Sequence, residues 1–230
     1  MLPMPTTTAL GYDDLPELLT RLTGDEKHDR AALSTLDVLW VLYDRVLRVD
    51  PREADDPSRD RFLLSKGHGP AAYYAVLAAK GFIELDELDG FGGFDSALGY
   101  HPDAALVHGV EISSGSLGHG LPIAIGMALA LDAQGQAGAR VVCLVGDGEL
   151  DEGSNWEAVQ LAGRLRLARL TVVVVDNHTS TYHWPGGIDA RFAIEGWDAE
   201  RIDGRDHEAL ERALGGTGEA PNVVVAEVTR

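Results

Sequence analysis

An aspartate and an asparagine thirty residues apart, Asp147 and Asn177, are the side chains of this sequence best suited to chemistry. Asp147 lies in the turn Gly146-Asp147-Gly148-Glu149, and Asn177 follows the apolar run Leu170 to Val175. Both present hard oxygen atoms, the ligands Mg2+ takes when it holds phosphate groups. To share one ion they must reach the same place, and the residues between them provide for that. Arg140 to Val145 (RVVCLV) and Leu170 to Val175 (LTVVVV) are apolar and β-branched without alternation, as expected of strands buried on both faces of a parallel sheet. Gly153 to Leu167 between them has a helical pattern. Strand, helix and strand make a right-handed crossover, so both strands end on one edge, where α/β proteins bind ligands. The stretch from Val141 to Thr179 reads as a cofactor site built on Gly146, Asp147, Gly148, Glu149 and Asn177.

Histidines come next. His68 stands in Lys66-Gly67-His68-Gly69-Pro70, where glycines let the backbone turn and leave the ring exposed, and Pro70 opens a helix from Ala71 to Lys80. His101 ends a turn-rich loop, Gly81 to Pro102, with the composition of an active-site cover, and carries less on local grounds. Glu111 to Gly120, with Gly115 and Leu117 inside it, precedes a small-residue helix from Leu121 to Leu131. Two readings stand side by side there. Either the glycines bring backbone and helix N–H groups up to an anion, or a tightly packed helix start needs glycine for steric reasons.

The elements that would position these groups fill one domain, expected over residues 13–230 after a loose arm at 1–12. Helices are expected from Leu15 to Leu22 and from Ala31 to Leu47, and strands from Arg61 to Ser65 and from Val223 to Val228. A chain of 230 residues, 45% hydrophobic, can bury one sizeable core. Its 19 Lys and Arg against 37 Asp and Glu give a net charge of -18, which argues against nucleic acid and anionic membranes as partners. An anionic cofactor would need a metal, backbone N–H groups or local cations. The single Cys143 lies in an apolar strand, so a buried inert thiol and a cytoplasmic setting are expected. No apolar run approaches the roughly 18 residues of a membrane span, and no secretory pattern opens the chain.

Taken in order, these blocks carry a family resemblance. GDGELDEGSNWEA followed by VVVVDN resembles the thiamine-diphosphate motif of transketolases. The succession SKGHG, GYHPD, GVEISSGSLGHGLPIAIGMALA, GDGE and DN resembles the amino-terminal, diphosphate-binding domain of that family across residues 28–228. The resemblance implies a three-layer α/β thiamine-diphosphate-binding fold, a mostly parallel sheet covered by helices on both faces. It implies that Asp147, Asn177 and the backbone carbonyl of Thr179 ligate Mg2+. His68, Gly115, Leu117 and Gly148 match positions lining the diphosphate and thiazolium, and His28 and His101 match histidines facing the donor. Glu152 and Glu157 match acidic residues near the interface that communicate with the glutamate activating the cofactor.

That glutamate belongs, in the family, to a pyrimidine-binding domain for which 230 residues leave no room. The resemblance therefore implies the amino-terminal subunit of a split enzyme, completed by a carboxy-terminal transketolase-like chain in a heterodimer or α2β2 heterotetramer. Such an enzyme transfers a two-carbon ketol unit from a ketose or 2-oxo donor. Two alternatives stand beside it: an α-type subunit resembling a 2-oxo acid dehydrogenase component, loading the unit onto an acyl carrier protein, and a non-catalytic paralogue serving as an interaction subunit. The departures lie on the substrate side. Lys27-His28-Asp29-Arg30 replaces a glycine-rich segment, Arg205 stands where His is common, and His119 where Gln is frequent.

Overall fold

A computed structural model describes residues 10–22, 29–67, 70–136, 138–216 and 218–228. His28, His68 and most of the expected arm at 1–12 lie outside the described residues. Five strands, β1 (Arg61–Leu64), β2 (Val141–Gly146), β3 (Leu170–Asp176), β4 (Asp198–Asp203) and β5 (Asn222–Glu227), form one sheet. Their order is β1-β2-β3-β5-β4 and every neighbouring pair is parallel.

The apolar runs divide between two cores. Val142, Leu144, Val173, Val175 and Val224 pack with α1 (Leu15–Arg21), α2 (Asp29–Val41), α3 (Ala71–Ala79) and α7 (His207–Gly215). Their neighbours Val141, Cys143, Val145, Val172, Val174 and Val223 face α4 (Gly120–Ala133), α5 (Gly153–Leu165) and α6 (Ile188–Ile194). Successive strand residues point to opposite faces, so a strand covered on both sides must be apolar at every position. Every residue of β2 and β3 is buried, as the continuous runs predict. Among the described residues, no helix is long and apolar enough to cross a membrane.

Two elements differ from the sequence expectation. The helix expected from Ala31 to Leu47 is α-helical only to Val41 and continues as a π-helical turn, Leu42–Val46. The wider turn keeps Leu42, Tyr43 and Val46 on the core side. Strand β4 carries no hydrophobic signal, because it is an edge strand with only Ile202 buried and is held through its backbone pairing with β5.

At the amino edge of the sheet, Asp60 is fully buried and joins three segments. It accepts from Arg48 N at 3.0 Å, Arg48 Nη2 at 2.8 Å, Arg140 N at 2.9 Å and Arg140 Nη2 at 3.2 Å. Burial alone would raise its pKa, but the hydrogen bonds from Arg48 and Arg140 outweigh that and hold it below the ordinary carboxylate value. Asp60→Ala should cost about 3–5 kcal/mol at neutral pH, because two guanidinium groups lose a desolvated partner. A depressed carboxyl stabilises above its unfolded pKa and stops doing so as pH falls through the folded value. Urea unfolding should therefore show the gap between native chain and variant closing in acid; a gap constant with pH would refute this role.

Candidate functional site

Strands β2 and β3 run in register, Gly146 opposite Val175, so the turns that leave them emerge side by side. Asp147 is 1% exposed. Its Oδ2 accepts from Thr179 N at 2.5 Å and Ser180 N at 2.8 Å, and its Oδ1 from Thr179 Oγ1 at 2.7 Å. The same hydroxyl oxygen lies 2.7 Å from Asn177 Oδ1. A hydroxyl has one proton to donate, so two acceptor oxygens and Thr179 Oγ1 crowd a point poor in positive charge. Among the described residues, no group of three or more His, Cys, Asp or Glu could hold a metal ion. A cation at this point would meet one carboxylate and neutral oxygens. That donor set fits Mg2+, which keeps water and phosphate oxygens in its octahedron, better than a zinc site closed by protein ligands.

The turn continues as a short 3₁₀ segment, Gly148–Asp151. Asp151 accepts from Ser180 Oγ at 2.7 Å, Thr181 N at 2.8 Å and Thr181 Oγ1 at 2.6 Å, fixing the chain beyond Asn177. Desolvation opposes ionisation of Asp151, but these hydrogen bonds outweigh it and lower its pKa. Beside this turn a crevice of about 320 Å³ opens, lined by Asp147, Asp176, Ser180, Trp184 and Arg201 among others.

Glu149 lies beneath the edge, 2% exposed. Its Oε1 accepts from Ser65 Oγ at 2.5 Å and Gly118 N at 2.9 Å, and Ser65 Oγ accepts from Gly120 N at 3.0 Å. Its Oε2 is buried without a hydrogen-bond partner. Burial raises the pKa of Glu149, partly offset by the bonds from Ser65 and Gly118. Here the steric reading of the glycine-rich loop prevails. A Cβ on Gly120 would lie 2.3 Å from Ser65 Cβ. The amides of Gly118 and Gly120, expected to face an anion, are taken up inside the protein.

Gly115, at φ 133°, serves a close approach: a Cβ there would lie 2.9 Å from His101 Cγ. His101 Nδ1 is 2.9 Å from Gly67 O. A carbonyl only accepts, so Nδ1 carries the proton and the lone pair of the neutral ring is on Nε2. Leu117 is half-buried on the same loop, and a Cβ on Gly148 would stand 3.2 Å from Thr179 Oγ1. The structure thus gathers His101, Gly115, Leu117, Asp147, Gly148, Asn177 and Thr179 at the carboxyl edge of β1, β2 and β3. Gly146 ends β2, and Glu152 and Glu157 are exposed at and beyond the start of α5.

Arg205 is taken up by α2. It pairs with Asp37 and donates to Leu33 O at 3.0 Å. Asp37, 4% exposed, also accepts from Tyr12 Oη at 2.6 Å and His207 Nε2 at 2.9 Å. Burial and the bond to Asp37 push the Tyr12 hydroxyl up to about 12. His119 is exposed, its Nδ1 3.1 Å from Leu117 O. Sequence reasoning did not single out Ser65, Asp151, Ser180 or Asp37. Ser65 alone left a signal, a polar residue closing an apolar strand.

An all-parallel sheet between helices, with an Asp and an Asn at adjoining strand ends, defines an α/β protein whose ligand crevice lies at the carboxyl edge. The chain belongs to the transketolase family: residues 23–224 match the family described as transketolase, thiamine diphosphate binding domain. A Rhodococcoides fascians protein named ferredoxin fas2 is 55% identical over 224 residues, 97% of this chain and 74% of that one. An apulose-4-phosphate transketolase subunit of Actinobacillus succinogenes is 36% identical over 211 residues, 88% of this chain and 76% of that one. The transketolase from Leishmania mexicana superposes with a TM-score of 0.79 at 26% identity, over 95% of this chain. This chain spans only 37% of that enzyme.

Removing Glu149 should loosen the loop it braces. Glu149→Ala should cost about 2–3 kcal/mol by leaving buried donors unpaired, whereas Glu149→Gln, which keeps an acceptor, should cost less than about 1 kcal/mol. Urea denaturation separates them, and equal losses would sink the bracing role.

Proposed function

We propose that this chain is the diphosphate-holding subunit of a split transketolase-like transferase, a single domain over residues 13–230 that works with a second chain. The convergence of Asp147 Oδ1 and Asn177 Oδ1 on one point beside the crevice carries this reading. Asp147, Asn177 and the Thr179 carbonyl hold Mg2+. His68, Gly115, Leu117, Gly146 and Gly148 line the diphosphate, and Glu149 braces the wall behind them. When bound, thiamine diphosphate supplies the nucleophilic carbon that breaks the bond next to a donor carbonyl and passes on a two-carbon ketol unit. His101, its ring set by Gly67 and Gly115, faces the donor together with His28 and takes or returns a proton at Nε2.

The outer face of α4 supports a partner chain. Ile123 is 41% and Leu129 40% exposed, and Pro122, Gly126 and Ala130 lie exposed on the same helix. A Cβ on Gly126 would meet nothing within 4 Å, so packing inside the chain does not call for glycine there. Such a face permits close approach of another surface. The relative from A. succinogenes is named as one subunit of a transketolase, which fits a heterodimer or α2β2 assembly in which Glu152 and Glu157 lie near the contact. The donor is a ketose or 2-oxo compound, and the buried thiol of Cys143 suits the cytoplasm.

Asp147→Ala should abolish retention of thiamine diphosphate by the assembled complex in Mg2+, read by calorimetry. Undiminished retention would refute the metal assignment. Ile123→Glu with Leu129→Glu should leave the chain folded but prevent co-elution with its partner in size-exclusion chromatography. A complex of normal size in the double variant would place the contact elsewhere.

A further inference from the structure

The amino edge of the sheet, opposite the crevice, carries a larger cleft of about 1020 Å³. Six arginines line it, Arg45, Arg48, Arg140, Arg166, Arg169 and Arg212, so six of the chain's 19 Lys and Arg gather at one place. Their partners are unequal. Arg45 meets Glu211 at 3.0 Å, and Arg169 pairs with Asp132. Arg48 and Arg140 share the single carboxylate of Asp60. Arg166 and Arg212 reach only Glu219 and Glu200, each at 3.6 Å, with both arginine side chains 67% exposed. Of the residues that line the cleft, six arginines stand against two carboxylates, Asp132 and Glu211, while Asp44, Asp60, Glu200 and Glu219 pair with them from outside its lining.

Exposed ion pairs of this kind contribute at most about 1 kcal/mol. Arg166 and Arg212 can therefore leave their glutamates for a phosphate, which a guanidinium binds through two parallel hydrogen bonds. Leu165, 48% exposed, and Leu167 add an apolar wall on which a flat ring can lie. A lining in which arginines outnumber carboxylates draws anions in once the weak pairs of Arg166 and Arg212 open, which matters most where the rest of the surface repels them. A strand of six residues spans about 20 Å, so a ligand here and one beside Asp147 do not compete for space.

We propose that this cleft binds a multiply charged phosphate ligand of nucleotide size, gripped by Arg166 and Arg212 with Arg48 behind them. The test begins with the chain and its partner saturated with thiamine diphosphate and Mg2+, so that the opposite edge cannot take up the probe. ATP and tripolyphosphate are then titrated separately by calorimetry at physiological ionic strength. Saturable binding of at least one probe is expected, weakened at least about tenfold by Arg166→Gln with Arg212→Gln, while thiamine diphosphate affinity is unchanged. Equal binding of both probes assigns the recognition to the phosphates alone; binding of ATP only adds the nucleoside and Leu165. If the double variant melts early, the single variants carry the test, and each must weaken binding. No saturable heat from either probe, an adventitious ion only that is lost at physiological ionic strength, or undiminished binding in the variants overturns the proposal.

Discussion

Asp147 accepts three hydrogen bonds from Thr179 and Ser180, and the carboxyl edge of the sheet takes its shape from them. Two of the donors are backbone amides, so the carboxylate is oriented by the fold rather than by flexible side chains. Two residues further on, Glu149 holds the glycine-rich loop through Ser65 and Gly118. One turn therefore fixes both the chain beyond Asn177 and the glycine-rich loop before α4, and little conformational freedom remains to be lost there when a ligand arrives.

How much of this could be read from residues alone depended on whether a residue's neighbours were near it in sequence or implied by the topology. Strands β2, β3 and β5 were legible because burial on two faces demands an unbroken apolar run. Strand β4 was not, since an edge strand needs only its backbone to pair. Asp147 and Asn177 could be brought together because a parallel crossover has one geometry. The direction of Glu149 could not, because its partners Ser65 and Gly118 lie 84 and 31 residues away. Arg205 likewise stood out as a substrate-side departure, yet it belongs to a hydrogen-bonded knot around Asp37 with no local pattern.

The distribution of charge and apolar surface fits a chain that forms only part of a larger assembly. The chain spans 37% of the Leishmania mexicana transketolase, and helix α4 leaves apolar residues uncovered. The same helix begins at Gly120, where Ser65 and Glu149 anchor the site. Its first residue and its outer face thus share one helix, which begins directly after the loop holding Gly115.

The knot around Asp37 bears on the order in which the molecule assembles. Its donors come from Tyr12, Arg205 and His207, so a buried carboxylate in the second helix waits for partners 168 and 170 residues further along the chain. Before β4 and α7 are made, α2 has its apolar stripe but not the Arg205 and His207 side chains that settle Asp37. Contacts of such long sequence separation form late and slow folding. The seating of α2 through Asp37 is therefore completed only after β4 and the start of α7 have been made.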